Sequence, residues 1–146
     1  GGGGARLPRP AAYPPSDGYQ PPVDPLEGVY SHLQAARACK EAHPELAFVG
    51  SGYSYLQVWL PQVAHQEVRT GGVDLIGLGR MALSYPELPL HVLRGEAIDR
   101  KRICRTFSDC TTAPRNGAKS GCYPLDPYYR DSPEAAAISA LRRRKS

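Results

Sequence analysis

The sequence predicts an α/β fold built from parallel βα units, and two short stretches carry that expectation. Val73 to Arg80 (VDLIGLGR) and Leu46 to Tyr53 (LAFVGSGY) are each an apolar run that breaks into glycines and is followed by a helical pattern. A short apolar run between turn residues reads as a buried parallel strand. Strands alternating with helices at this spacing argue for a parallel sheet. Only two strands are readable, however, and two parallel strands cannot bury both faces of a sheet. The expectation is a piece of something larger, and the opening GGGG without an initiator Met points the same way.

Taken in order, residues 1–24 read as loop, because RLPRPAAYPPSDGYQPPVDP is dense in Pro, Gly and Tyr and shows no apolar period. Tyr13 and Tyr19 leave two readings open, a loop lying over a site or a disordered lead-in. A helix then starts at Asp24-Pro25, a good N-cap followed by a good first helical residue. Leu26, Val29, Leu33, Ala36 and Cys39 form one apolar stripe along it, with Cys39 expected to be buried packing, and His43-Pro44 ends it. Leu46 to Val49 is the first expected strand. The helical segment from Tyr55 to Arg69 contains Pro61, so it is kinked or divided, with Pro61 in the first turn of the second piece. Leu60, Val63, Ala64 and Val68 supply its inner face. Gly71-Gly72 closes it, and Asp74 to Leu78 is the second expected strand. A turn, MALSYP, and a helix-like PELPLHVLRG follow.

Composition narrows the function classes. The hydrophobic fraction is 41% and the net charge +4, with a mean hydropathy of -0.42. No apolar run approaches the ~18 residues of a membrane span, and no charged-then-apolar leader is present. No membrane association and a cytoplasmic location are therefore expected. Much of the positive charge sits in Arg142, Arg143, Arg144 and Lys145. A terminal basic run without interleaved aromatics is a solvated tail, so nucleic acid is not an expected partner.

The two strand-to-glycine breaks are candidates for one anion site. Glycine lets backbone N–H groups approach closely, and a helix N-terminus adds partial positive charge. Arg80, directly after Gly79, offers a planar guanidinium for bidentate contact with phosphate oxygens. The same glycines would serve equally as tight turns with no ligand.

FVGSGYSYL, GGVDLIGLGRMALSYPELP and ICRTFSDCTTAPRNGAKSGCYPLDPYY resemble the C-terminal part of the NADH:flavin oxidoreductase (old yellow enzyme-like) family. RPAAYPPSDGYQPPVDPLEGV resembles the loop after the sixth strand in one bacterial branch, so the resemblance runs from about Arg9 to Tyr129. It implies the C-terminal part of an FMN-bound (β/α)8 TIM barrel, about the last two βα units plus a tail. Residues 1–24 would be the loop after strand six, 25–95 the βα units with the phosphate loops, and 96–146 a cysteine-containing extension with a basic tail. Barrel phosphate sites lie at the loops after strands seven and eight. Carried over, Ser51 and Gly52 would give backbone donors from the seventh loop, and Gly79 and Arg80 backbone and guanidinium contacts from the eighth. Tyr53 would line the flavin edge or simply pack. The family's substrate-orienting and proton-donating positions match nothing in this sequence, so no residue is assigned as catalytic.

Cys104, Cys110 and Cys122 read C-x5-C-x11-C, which is not a zinc-finger spacing. Larger members of the superfamily place a four-cysteine [4Fe–4S] site here, whose last two cysteines have the separation of Cys110 and Cys122. The second cysteine of its CxxC is missing, with Thr106 and Phe107 in that neighbourhood. A cluster-free motif is the preferred reading, no metal ligand is assigned, and a disulfide is less expected in a cytosolic protein.

The expected function is thus FMN binding and flavin-dependent oxidoreduction, with NAD(P)H as reductant and a small molecule such as an activated alkene as substrate. The alternative is a non-catalytic barrel remnant that binds a phosphate-bearing ligand or a partner.

Overall fold

The structure, a computed structural model, describes residues 22–143; all but the last three residues of the loop expected over 1–24, and the end of the basic tail, lie outside the described residues. The first helix, α1 (Pro25–Ala42), begins as its sequence dictates. Asp24 caps it, its carboxylate accepting a hydrogen bond from the Leu26 N–H at 2.7 Å, and His43 ends it. Val29 and Leu33 turn inward, whereas Leu26 is exposed. Cys39, expected in the buried stripe, is also exposed.

Strand β1 (Val49–Gly50) pairs in parallel with β2 (Leu75–Ile76), Val49 opposite Leu75 and Gly50 opposite Ile76. Between them run a 3-10 segment (Tyr53–Trp59) and α2 (Leu60–Arg69), with Pro61 in the first turn of α2. Leu60 is buried, and Val63 and Ala64 pack against the core, but Val68 is exposed and Glu67 is buried in its place. Arg37 makes that burial tolerable, holding the Glu67 carboxylate through two bonds of 2.8 Å. The hydrogen bond from Arg37 to Glu67 is also the main reason the guanidinium is pushed above its ordinary value.

After β2 come α3 (Arg80–Ser84) and α4 (Leu88–Leu93), then α5 (Asp109–Arg115), α6 (Pro127–Arg130) and α7 (Pro133–Arg143). Val29, Leu33, Tyr53, Leu60, Met81, Tyr85 and Leu88 form the main core, which extends past Gly95 to take in Ile103 and Cys104. A second cluster, Ala113, Tyr123 and Ile138, joins α5 to α7. No helix among the described residues is long and apolar enough to cross a membrane.

This is not the C-terminal part of a (β/α)8 barrel that the resemblance implies. The described residues are 55% helical and only 3% strand, and beyond α4 they carry three further helices, α5, α6 and α7, and no strand. The local chemistry explains why the strands stay short. The Leu46 carbonyl accepts from Lys40 Nζ at 2.8 Å, and the Phe48 N–H donates to the Asp74 carboxylate at 2.8 Å. Side chains thus hold two of the backbone groups ahead of β1, while the Phe48 carbonyl still accepts from the Asp74 and Leu75 N–H groups at 3.0 and 3.1 Å. Leu46, Val49 and Leu75 are all more than half exposed, so the expected burial of these runs does not occur.

Asp74 ties the start of this sheet to α1. Its carboxyl is held below the ordinary value chiefly by the Phe48 N–H and then by Lys40, which lies 3.0 Å away. A depressed carboxyl stabilises the fold above its unfolded-state pKa, and that contribution is lost as pH falls through the folded value. Asp74→Asn should therefore flatten the pH dependence of unfolding in the acid range, below about pH 4. Urea melts of both proteins across that range check this, and parallel acid profiles would rule it out.

Candidate functional site

The four sequence-predicted residues Ser51, Gly52, Gly79 and Arg80 line one open concavity of about 430 Å³ at the ends of β1 and β2. His32, Ser54 and Tyr55 share its wall. The pairing of the strands brings the two loops together, since Gly77 N–H bonds the Gly50 carbonyl at 2.8 Å.

The glycines do different jobs. A Cβ on Gly50 would lie 2.6 Å from the Tyr53 hydroxyl, and one on Gly77 would lie 2.9 Å from the Gly50 carbonyl oxygen. Both are small because the chain packs tightly there. Gly52 has φ +91°, a left-handed conformation that favours glycine. Gly79 is different: its φ is -83°, and a Cβ would meet nothing within 4 Å. The space in front of Gly79 is open.

Arg80 is held rather than free to sweep. Its guanidinium carbon lies 4.7 Å from the centroid of the Tyr55 ring, within stacking range. The neighbouring Met81 N–H donates to Ser54 Oγ at 3.1 Å, fixing the backbone after Gly79. Nη1 of Arg80 is buried and has no hydrogen-bond partner among the described residues. A buried donor without a partner costs about 1–3 kcal/mol, a cost that an acceptor reaching this nitrogen would relieve. Because α3 spans only five residues, the guanidinium, not a helix dipole, supplies the positive charge. The sequence reading missed Tyr55 and Ser54; an aromatic three residues past the Gly52 turn was the only signal of the stack.

Tyr53, considered as a flavin-edge residue, is instead fully buried in the core. Burial pushes its phenol up to about 12.

Arg80 also lines a second, small cavity of about 20 Å³, together with Cys104, Cys110 and Cys122. Two non-glycine residues with left-handed backbone, Thr106 (φ 58°) and Ser108 (φ 65°), fold the connection between Cys104 and Cys110 back on itself. Such conformations are unfavourable by roughly 1–2 kcal/mol per residue. The three cysteines do not converge as ligands: among the described residues no group of three or more His, Cys, Asp or Glu side chains could hold a metal ion. Burial pushes all three thiols above their ordinary value. The Thr106 N–H and then Arg80 oppose this at Cys104, Arg80 at Cys110, and the N–H groups of Leu125 and Asp126 at Cys122.

Iodoacetamide at neutral pH should therefore label exposed Cys39 first, with Cys104 slowest by about tenfold or more given its lower thiolate fraction and burial. Peptide mapping over time checks the order, and equal rates for Cys39 and Cys104 would refute it. In comparisons with known proteins, no family model, no curated protein and no solved structure matches this chain.

Proposed function

We propose that the concavity between the two glycine loops binds the phosphate of flavin mononucleotide, and that the chain serves flavin-dependent oxidation of NAD(P)H. The observation that carries the reading is the unpartnered, buried Nη1 of Arg80, on the side chain that also walls the glycine loops. A phosphate oxygen is the acceptor that such a donor suits best.

The donor set fits the group. Gly79 leaves room for close approach, Gly52 holds the opposite loop in its turn, and exposed Ser51 stands at the rim. Met81, Tyr55 and Gly77 already spend their N–H groups on Ser54, Gly52 and Gly50. A bound phosphate would therefore draw on Ser51, Gly52 and Gly79 together with the Arg80 fork. Tyr55 keeps that fork from swinging into solvent, so little side-chain entropy remains to be lost on binding. Flavin, when bound, supplies hydride transfer with NAD(P)H as donor and an activated alkene or similar small molecule as acceptor. The residues named here do the anchoring, and none is assigned a proton.

FMN and riboflavin, which differ by the phosphate, separate the possibilities. FMN should bind the full chain more tightly than riboflavin, and Arg80→Ala should weaken FMN at least tenfold, or about 1.4 kcal/mol. Arg80→Lys should restore only part, because an ammonium lacks the fork. Flavin fluorescence titration reads all four values, and equal affinity for FMN in wild type and Arg80→Ala would remove the site. FMN binding without NADH oxidation would favour a phosphate-binding module that does no redox chemistry.

A further inference from the structure

The thiol-lined cavity plays no part in phosphate binding, yet the fold gathers three of the four cysteines around it. Cys104 is buried on the main core, while Cys110 and Cys122 are half-exposed. Cys110 lies in the first turn of α5, and Cys122 sits in the loop that returns after it. Ser120 Oγ donates to the Cys110 carbonyl at 2.7 Å, which pins that returning loop against Cys110 two residues before Cys122. Between Cys110 and Cys122, the chain is closed at its base by the Ala118 N–H bond to the Ala113 carbonyl, 2.9 Å. Burial of Ala113 and Tyr123 in one cluster fixes the same closure from inside. Arg80, Arg105 and Asp109 also line the cavity, so two guanidinium groups and one carboxylate stand around the thiols.

We propose that Cys110 and Cys122 form a two-thiol oxidation site whose co-reactant is a hydroperoxide, with a reversible intramolecular disulfide as product. Cys110, which lines the cavity and is less buried than Cys104, attacks one peroxide oxygen as its thiolate. An S–O bond forms as the O–O bond breaks, and the departing oxygen leaves as water after taking a proton. Cys122 then attacks the Cys110 sulfur, forming the S–S bond while the S–O bond breaks and a second water leaves. Two thiols and one hydrogen peroxide give one disulfide and two waters, with two electrons passing from sulfur to peroxide. A dithiol reductant reverses the step by exchange. Cys104 stays a thiol, because it is buried on the core and its Sγ accepts from the Thr106 N–H at 3.4 Å. Burial, with Asp109 near Cys110 and Asp126 near Cys122, disfavours both thiolates. Arg80 opposes this at Cys110, and the Leu125 and Asp126 N–H groups at Cys122, so oxidation is expected to speed up as the solution becomes alkaline.

The test uses the full chain, treated with hydrogen peroxide at mildly alkaline pH, blocked with an alkylating agent and digested with trypsin without reduction. Cleavage after Arg102, Arg105, Arg115, Lys119 and Arg130 puts Cys104, Cys110 and Cys122 on three separate peptides. The expected result is a linked pair, Thr106–Arg115 with Ser120–Arg130, loss of two of the four titratable thiols, and recovery of both with dithiothreitol. A bridge through Cys104, a bridge between two chains, higher oxides of Cys110 without a bridge, or four surviving thiols would overturn the proposal. Cys122→Ser should convert the product to a sulfenic acid at Cys110 that dimedone captures. The mapping of the unsubstituted chain stands whether or not that variant folds.

Discussion

Met81 is the fixed point on which the rest of this structure depends. Fully buried, it receives no water, and both its polar ends are used. Its N–H reaches back 27 residues to Ser54, and its sulfur accepts from Cys104, 23 residues ahead. One residue, through its backbone N–H and its sulfur, thus ties the turn after the first glycine loop to the segment that leads into the C-terminal helices. Arg80 precedes it and inherits its position from that anchoring. Removing the thioether would leave a cavity lined by Tyr85, Leu88 and Ile103, in a core where every lost contact is felt.

The parts of the fold that were legible in the sequence are those decided by one or two residues. Asp24-Pro25 starts α1 because the carboxylate and the ring each suit their position, whatever else surrounds them. Pro61 likewise marks the first turn of α2, and the left-handed φ of Gly71 and Gly95 falls just past helices that the periodicity had ended there. The four loop residues 51, 52, 79 and 80 meet because two parallel strands place their ends side by side.

What the sequence did not disclose depends on partners far along the chain. Leu46 to Val49 has the composition of a buried strand, but nothing in it says that Lys40 and Asp74 will occupy two of its backbone groups. The barrel expectation failed at that step, since a short apolar run predicts a strand only where a neighbouring strand is free to pair. The helices α5 and α6 were hidden by their brevity and by Pro114, Gly117 and Gly121, which interrupt any apolar period. Cys39 followed the stripe of α1 on paper, yet the core wraps only the turn of α1 around Val29 and Leu33. Arg80 stood out in the sequence as a candidate for phosphate contact, but its stacking on Tyr55 and its place in a second cavity did not.

That double placement has a thermodynamic consequence. One guanidinium walls two cavities, so an occupant of either changes the charge felt in the other. An anion held by Arg80 would neutralise part of the field that favours a thiolate at Cys110, and a thiolate there would weaken the hold on the anion by the same factor. With an anion in one cavity and a thiolate in the other, as proposed, the two would be linked through a single delocalised cation, and the sign of that coupling would be negative.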